Sequence, residues 1–345
     1  MKTDGKWPRI LIVRLSAIGD AIQTMPVACA LRERFPEAFL AWAVEQRAGG
    51  LLAGHESLDE LILLPRGWLK SPSVVWGLRR RLRDLRFDVA VDVQSLTKSA
   101  VVAWLSGARR RIGFGNPGGR ELSQWFNNER VDPKSTHVVD RYLELLRPLG
   151  IAPARVRFQV PETEEDAGRA KQMIHDAGLT DGFAIINPGA GWPSKLWPTD
   201  RYGAVARHLA ETVRLPTLVV WAGSAEQTLA RQVAVHGGPL TQVAPRTTLR
   251  ELAALARRAR LFLGADTGPL HLAAAVGTPC VGLYGPWPAM RHGPYGSQNI
   301  SLQQMVFEGS ARARRTAPAV YMESITAAMA CAACDNILRR DAPRQ

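Results

Sequence analysis

GADTGPLHLAAAVGTPCVGLYGP, residues 264–286, is the stretch from which the rest of the chain can be read. The apolar run RLFLGA ends at Asp266. Thr267-Gly268-Pro269 then opens LHLAAAV, and a second apolar run, PCVGLYG, follows Gly277. The order is strand, tight turn, short helix, strand. Such a turn gathers backbone N–H groups, a hydroxyl and a glycine at a helix N-terminus, where a phosphate binds well. Pro269 suits the first helical turn, because the N–H it lacks has no intrahelical partner there. Without a ligand, the same residues make an ordinary βαβ crossover with an Asp-Thr cap.

Outward from this unit the chain alternates apolar strands and helical segments, the pattern of a parallel α/β sheet. In the first half, strands are expected at 9–15, 39–44, 60–65, 88–94 and 109–114. Helices are expected from between Asp20 and Pro26 to Arg34, over 74–86, after Ser99, and over 137–150. Residues 115–136 read as a polar, Gly-rich loop. IAPARVRFQVPETEED then breaks the composition and places a linker near 151–163. The second half repeats the alternation, with strands at 183–189, 217–223, 241–245 and 260–265. Its helices are expected at 164–178, 199–213, 225–236 and 248–259, the last with Thr247 or Thr248 as N-cap. The expected division is a domain over 1–155 and a second over 164–320, with a tail helix at about 321–340 that packs back on the first. Parallel sheets take ligands at the carboxyl ends of their strands, so the loops after strands are where chemistry is expected. No GxGxxG follows the first strand, which argues against a dinucleotide oxidoreductase.

Length and composition fit about two packed domains: 345 residues with 46% apolar content. MKTDGKWPR has no apolar signal core, and no run reaches the roughly 18 apolar residues of a membrane span. A cytoplasmic location is therefore expected. Cys331 and Cys334 form CAAC inside a helix-like tail, without the strand context of a redox motif or further ligands for zinc. The net charge of +13 is uneven, with +9 in residues 1–160. Arg66, Lys70, Arg79, Arg80, Arg81, Arg83 and Arg86 face a single Asp84, and Arg109-Arg110-Arg111 form a second cluster. One such run is usually a solvated helix face. Two in one half point to an anionic partner.

Two further loops stand out. In LSAIGDAIQTMP, Gly19 permits a tight turn and Asp20 falls at or before a helix start. The helix dipole favours its ionised form, so Asp20 is either an N-cap or an ionised base or anchor. In NPGAGWPSKLWPTDRY, Pro and Gly exclude regular structure, and Lys195 sits between Trp192 and Trp197. Its ammonium could neutralise a phosphate, or simply be solvated beside the next helix start.

Taken in order, RLSAIGDAIQTMP, SKLWP and ADTGPLHLAAAVGTPCVGLYGP resemble the heptosyltransferases of lipopolysaccharide inner-core synthesis. DVQSLTKSA resembles a segment of the same family, and RGWLKSP with the Arg-rich helix resembles the basic acceptor region of heptosyltransferase I. The resemblance spans nearly the whole chain. It implies an α/β fold of GT-B type, two Rossmann-like domains facing across a cleft, and an inverting, metal-independent transfer with no cofactor. The donor would be an ADP-sugar, ADP-L-glycero-β-D-manno-heptose. The acceptor would be an anionic lipid-linked glycan of the Kdo–lipid A type, with peripheral contact to an anionic inner membrane. By resemblance, Asp20 is the base and Lys195 offsets charge on the departing diphosphate. Gly191, Glu226, Thr247, Asp266, Thr267, Gly268 and His271 match donor positions. Ser16, Gly19, Arg79, Arg80, Arg83 and Lys98 are the acceptor candidates. Gly189-Ala190-Gly191 departs from the hydroxyl residues the family often carries there, so phosphate contacts would fall to backbone N–H groups. Rival readings are a related glycosyltransferase with another sugar nucleotide or glycan, and a sugar-nucleotide epimerase of similar architecture. A basic nucleic-acid-binding protein would leave the ordered loop motifs unexplained.

Overall fold

The computed structural model describes residues 7–116, 118–152 and 155–341, and the chain divides into two units between Pro161 and Glu162. The first unit holds β1 (Arg9–Val13), β2 (Phe39–Glu45), β3 (Glu60–Leu64), β4 (Val89–Asp92), β5 (Arg110–Phe114) and β6 (Glu129–Val131). All pair in parallel, in the order β3-β2-β1-β4-β5-β6. The second unit holds β7 (Ala184–Asn187), β8 (Thr217–Val219), β9 (Thr241–Val243), β10 (Leu261–Ala265), β11 (Cys280–Leu283) and β12 (Ile300–Leu302). Its order is β12-β11-β10-β7-β8-β9, again all parallel. Counted within its own unit, each sheet runs 3-2-1-4-5-6, the doubly wound order.

Parallel strands with helices on both faces must be apolar on both sides. Hence RILIVRL does not alternate: Ile10, Leu11, Ile12 and Val13 are all buried. Leu11 and Val13 meet Ala41, Ala43, Ile62 and Leu64, and helices Pro72–Asp84 and Thr97–Leu105 cover that face through Leu82, Val102 and Ala103. In the second unit, Ala184, Ile186, Leu261 and Leu263 pack with Val205, Ala206 and Leu209 of helix Thr199–Val213. Helix Leu249–Arg258 starts at Thr248, whose Oγ1 accepts from Glu251 N while Glu251 Oε2 accepts from Thr248 N. This reciprocal cap resolves the Thr247/Thr248 alternative and is worth about 1 kcal/mol.

Two sequence expectations are corrected. Helix Ile18–Arg34 begins before Asp20 and carries Pro26 inside it. The start is set from within, by Asp20 Oδ2 accepting from Ala17 N at 3.0 Å, and not by a capping residue at its edge. The loop read over 115–136 contains a short helix, Ser123–Phe126, and β6. β6 and β12 have three residues each and are only partly buried, so neither shows as an apolar run. Helix Ala327–Asp341, expected as the tail helix, belongs to the second unit. Ala330, Ala333, Cys334, Ile337 and Leu338 join the core of the second, against Val205, Leu209 and Leu283. Both halves of CAAC lie on this helix as free thiols, and burial pushes their pKa values up.

Candidate functional site

Each sheet has its topological switch point between its first and fourth strands, at β1/β4 and at β7/β10. Loops leaving the two strands diverge there and open a crevice at the carboxyl ends. The candidate residues concentrate at these two places.

In the first unit, Arg14 ends the apolar run of β1 with a buried guanidinium. Its side chain is 7% exposed, while that of its ion-pair partner Asp20, 2.5 Å away, is 34% exposed. Arg14 also donates to Val93 O beyond β4 (3.3 Å), and its guanidinium stands 5.1 Å from the centre of the Tyr142 ring. The Tyr142 hydroxyl lies 3.4 Å from Asp20 Oδ1. Asp20 is thus an oriented carboxylate that solvent and a substrate can still reach. Lys98 Nζ donates to Ser16 Oγ (2.9 Å) and Glu45 Oε1 (3.0 Å), so the turn after β1 and the helix after β4 are tied together. Gly19 lies in the first turn of the helix that carries Asp20.

The turn leading to Lys98 is built by Asp92. Its Oδ1 accepts from Ser95 N and its Oδ2 from Asn127 Nδ2, each at 2.9 Å. Burial pushes the Asp92 carboxyl up to about 6, against the opposing hydrogen bonds from Asn127, Ser99 and Ser95. Between about pH 4 and 6 the folded chain therefore keeps a proton that the unfolded chain has released. The Asp92 contribution to stability falls as pH rises through that window, by an order of 2–3 kcal/mol. Asp92→Asn is expected to flatten this limb of the stability–pH curve, measured as urea midpoints from pH 4 to 7. A limb of unchanged slope in the variant would assign it to other groups.

Not all basic candidates join this group. Helix Pro72–Asp84 leaves β3 at the carboxyl edge and runs antiparallel to the strands, so Arg81 reaches Glu60 at the start of β3. Arg83 follows it to the amino edge and donates to Leu105 O at 3.1 Å. It is therefore at the opposite edge of the sheet from Asp20. Arg79 and Arg80 are exposed on the outer face of the helix, Arg79 5.6 Å from the Trp76 ring centre.

In the second unit, Lys195 follows β7 and Asp266 follows β10, and they meet across the switch point. Lys195 Nζ donates to Asp266 Oδ2 (2.6 Å) and to its main-chain oxygen (2.9 Å). His271 Nε2 is 3.1 Å from Asp266 Oδ1. With the carboxylate ionised, that nitrogen carries the proton and donates. Burial alone would raise the Asp266 pKa, but the His271 hydrogen bond and the Lys195 charge outweigh it and hold the carboxyl well below its ordinary range. Asp266 thus faces inward as an anchor for Lys195, not outward toward a ligand. Thr267 is the N-cap of helix Gly268–Ala275 but its hydroxyl caps nothing, and its Oγ1 is buried without a partner among the described residues. The helix offers its free N–H groups, and about half a positive charge, at the same place.

Glu226 lies in the first turn of helix Gly223–Gly237, after β8, and accepts from Ala222 N at 2.8 Å. Burial pushes its pKa up. A Cβ on Gly189 would overlap this carboxyl, so the glycine lets the two loops touch. Gly191 is exposed, and a Cβ there would meet nothing within 4 Å, so it is Gly189 whose lack of a side chain is required. Thr247 lies in the loop after β9, one residue before the Thr248 cap. Arg14, Tyr142 and Glu45 were not among the sequence candidates. A charge closing an apolar strand is the signal that points to Arg14.

A description of glycosyltransferase family 9 (heptosyltransferase) matches residues 75–319. Among curated proteins, the chain is 28% identical over 307 residues to the lipopolysaccharide core heptosyltransferase OpsX of Haemophilus influenzae, covering 88% of this chain and 86% of that one. It is 27% identical to lipopolysaccharide heptosyltransferase 1 of Pseudomonas aeruginosa, over 85% of this chain and 83% of that one. Among solved structures, the E. coli heptosyltransferase WaaC with ADP superposes with a TM-score of 0.76 at 22% identity, covering 95% of this chain and 99% of that one. That likeness shows the fold, α/β of GT-B type. The family match extends over most of the chain and includes Lys195, Asp266 and His271. With two doubly wound sheets and a cation at a helix N-terminus, the chain belongs to glycosyltransferase family 9, the heptosyltransferases.

Proposed function

We propose that this heptosyltransferase acts in lipopolysaccharide inner-core synthesis, moving heptose with inversion from ADP-L-glycero-β-D-manno-heptose to a Kdo–lipid A type acceptor. The observation that carries the reading is the Lys195–Asp266–His271 cluster at the start of helix Gly268–Ala275. It combines an ammonium, its charge partly offset by Asp266, with a helix N-terminus in a preorganised site suited to a leaving diphosphate. The names of the relatives support the lipopolysaccharide context.

In this mechanism Asp20 accepts the proton of the acceptor hydroxyl. The hydroxyl oxygen attacks the anomeric carbon, the bond from that carbon to the phosphate oxygen breaks, and ADP departs. Charge grows on the diphosphate, where Lys195 and the helix N-terminus stabilise it without reorganisation. Glu226 receives the ribose hydroxyls, Thr247 borders the base, and the backbone of Gly191 and Gly268 faces the phosphates. Ser16, Gly19 and Lys98 meet the carboxylates and phosphates of the acceptor, and the exposed Arg79 and Arg80 attract it at longer range. The chain works at the cytoplasmic face of the inner membrane, and the excess charge of the first unit favours peripheral contact there. Among the described residues no helix is long and apolar enough to cross a membrane.

Calorimetric titration with ADP, UDP and GDP tests the donor, followed by turnover of ADP-heptose on Kdo–lipid A. ADP is expected to bind at least about tenfold more tightly than the others. A preference for UDP or GDP would reassign the donor, and transfer to another glycan only would reassign the acceptor.

A further inference from the structure

Lys195 does not bring a free charge to the diphosphate. Its ammonium is spent at 2.6 Å on the Asp266 carboxylate, so the pair is close to neutral as seen by a ligand. A departing diphosphate carries several negative charges, and the helix N-terminus offers only about half a unit against them. The electrostatics call for another cation in the second unit.

One is in place on the far side of Trp287 in the sequence. Trp287 lies in the loop after β11, and Lys195 Nζ is 4.7 Å from its ring centre. Arg314 Cζ is 5.8 Å from the centre of the same ring. One indole thus holds both cations. Arg315 stacks similarly on Trp192, in the Lys195 loop, at 4.5 Å. Among the described residues, neither Arg314 nor Arg315 has a carboxylate partner, unlike Lys195.

Unsatisfied polar atoms occur on Trp287 and Arg314 themselves and on the chain neighbours of Lys195 and Asp266. Arg314 Nε, Trp287 Nε1, Ser194 Oγ and Thr267 Oγ1 are all buried with no hydrogen-bond partner among the described residues. Ser194 and Thr267 are chain neighbours of Lys195 and Asp266. Buried donors are nearly always satisfied, so a group of orphans beside a cation cluster marks where an acceptor-rich ligand sits. A guanidinium is the better grip for such a ligand, because its planar fork fits two phosphate oxygens at once.

We propose that Arg314, braced by Trp287, is the second cation of the donor site and grips the terminal phosphate of the diphosphate. This rests on the reading of the second unit as the ADP-sugar site.

The test is calorimetric binding of ADP and AMP to the full chain as wild type, Arg314→Gln and Arg314→Lys, with melting temperatures as a check on folding. A charged hydrogen bond to phosphate predicts about a tenfold or greater loss of ADP affinity in Arg314→Gln. AMP, which lacks the terminal phosphate, should change less than about twofold, and Arg314→Lys should restore part of the ADP affinity. ADP binding by Arg314→Gln within twofold of wild type would overturn the assignment. So would equal losses for ADP and AMP, which would place Arg314 in a structural role or at the nucleoside. If wild type binds ADP and Lys195→Ala weakens it while Arg314→Gln does not, only the Arg314 role is lost. If wild type binds no ADP, the ADP-sugar reading falls and the Arg314 role with it.

Discussion

Asp20→Asn should lower kcat by about 10²–10⁴-fold, the range set by loss of a general base, while ADP affinity stays within about twofold of wild type. The two parts of this expectation come from different places in the chain. Asp20 is held by Arg14 and by Ala17 N in the first unit, and the diphosphate cluster belongs wholly to the second. Asparagine keeps the size of the side chain and can still accept from Ala17 N. It loses the capacity to take a proton and also the negative charge paired with buried Arg14, so melting temperature is measured alongside as a check on folding. Steady-state turnover and ADP calorimetry on one preparation measure both quantities. Turnover within tenfold of wild type would remove Asp20 from the role of base and leave it as an anchor of the helix start.

Lys195→Ala has the second large effect, for two reasons that act together. The ammonium that stabilises the leaving group is gone, and the Asp266 carboxylate is left near the phosphates without its cation. Removing one preorganised donor from a site of growing charge costs about 10²–10³ in kcat. The exposed repulsion should also weaken ADP binding by about tenfold or more. The double variant Lys195→Ala/Asp266→Asn separates the causes. If repulsion contributes, it should recover part of the ADP affinity but little of kcat. A single variant that keeps its rate and loses only melting temperature would make Lys195 a structural residue.

The periodicities that build the sheets were legible because a parallel strand buried on both faces must be apolar throughout. Helix Thr199–Val213 has the bounds the sequence predicts, and the β10–helix–β11 unit lies where GADTGPLHLAAAVGTPCVGLYGP places it. The edge strands β6 and β12, three residues each and only partly buried, were not legible, although the equally short edge strand β9 was. At the site, motif residues could be named but not their directions. Asp266 reads as a ligand contact in the chain, and the chain does not show that its carboxylate is engaged by Lys195 and His271, 71 and 5 residues away. The same limit hid Tyr142 from Asp20, 122 residues off, and Arg314 from Lys195. Such pairings come from strand order, which no local pattern carries.

The position of helix Ala327–Asp341 has a consequence for how the protein is made. The first unit is contiguous and all its strands precede Pro161, so it can fold while the ribosome is still at work on the remainder. The second cannot close its core until Ile337 and Leu338 have emerged, although its first strand, Ala184–Asn187, appears some 150 residues earlier. At about 5–20 residues per second, that is a wait on the order of 8–30 seconds with an apolar sheet face uncovered. During synthesis the nascent chain is therefore a complete, strongly basic N-terminal unit tethered to one whose core is still open.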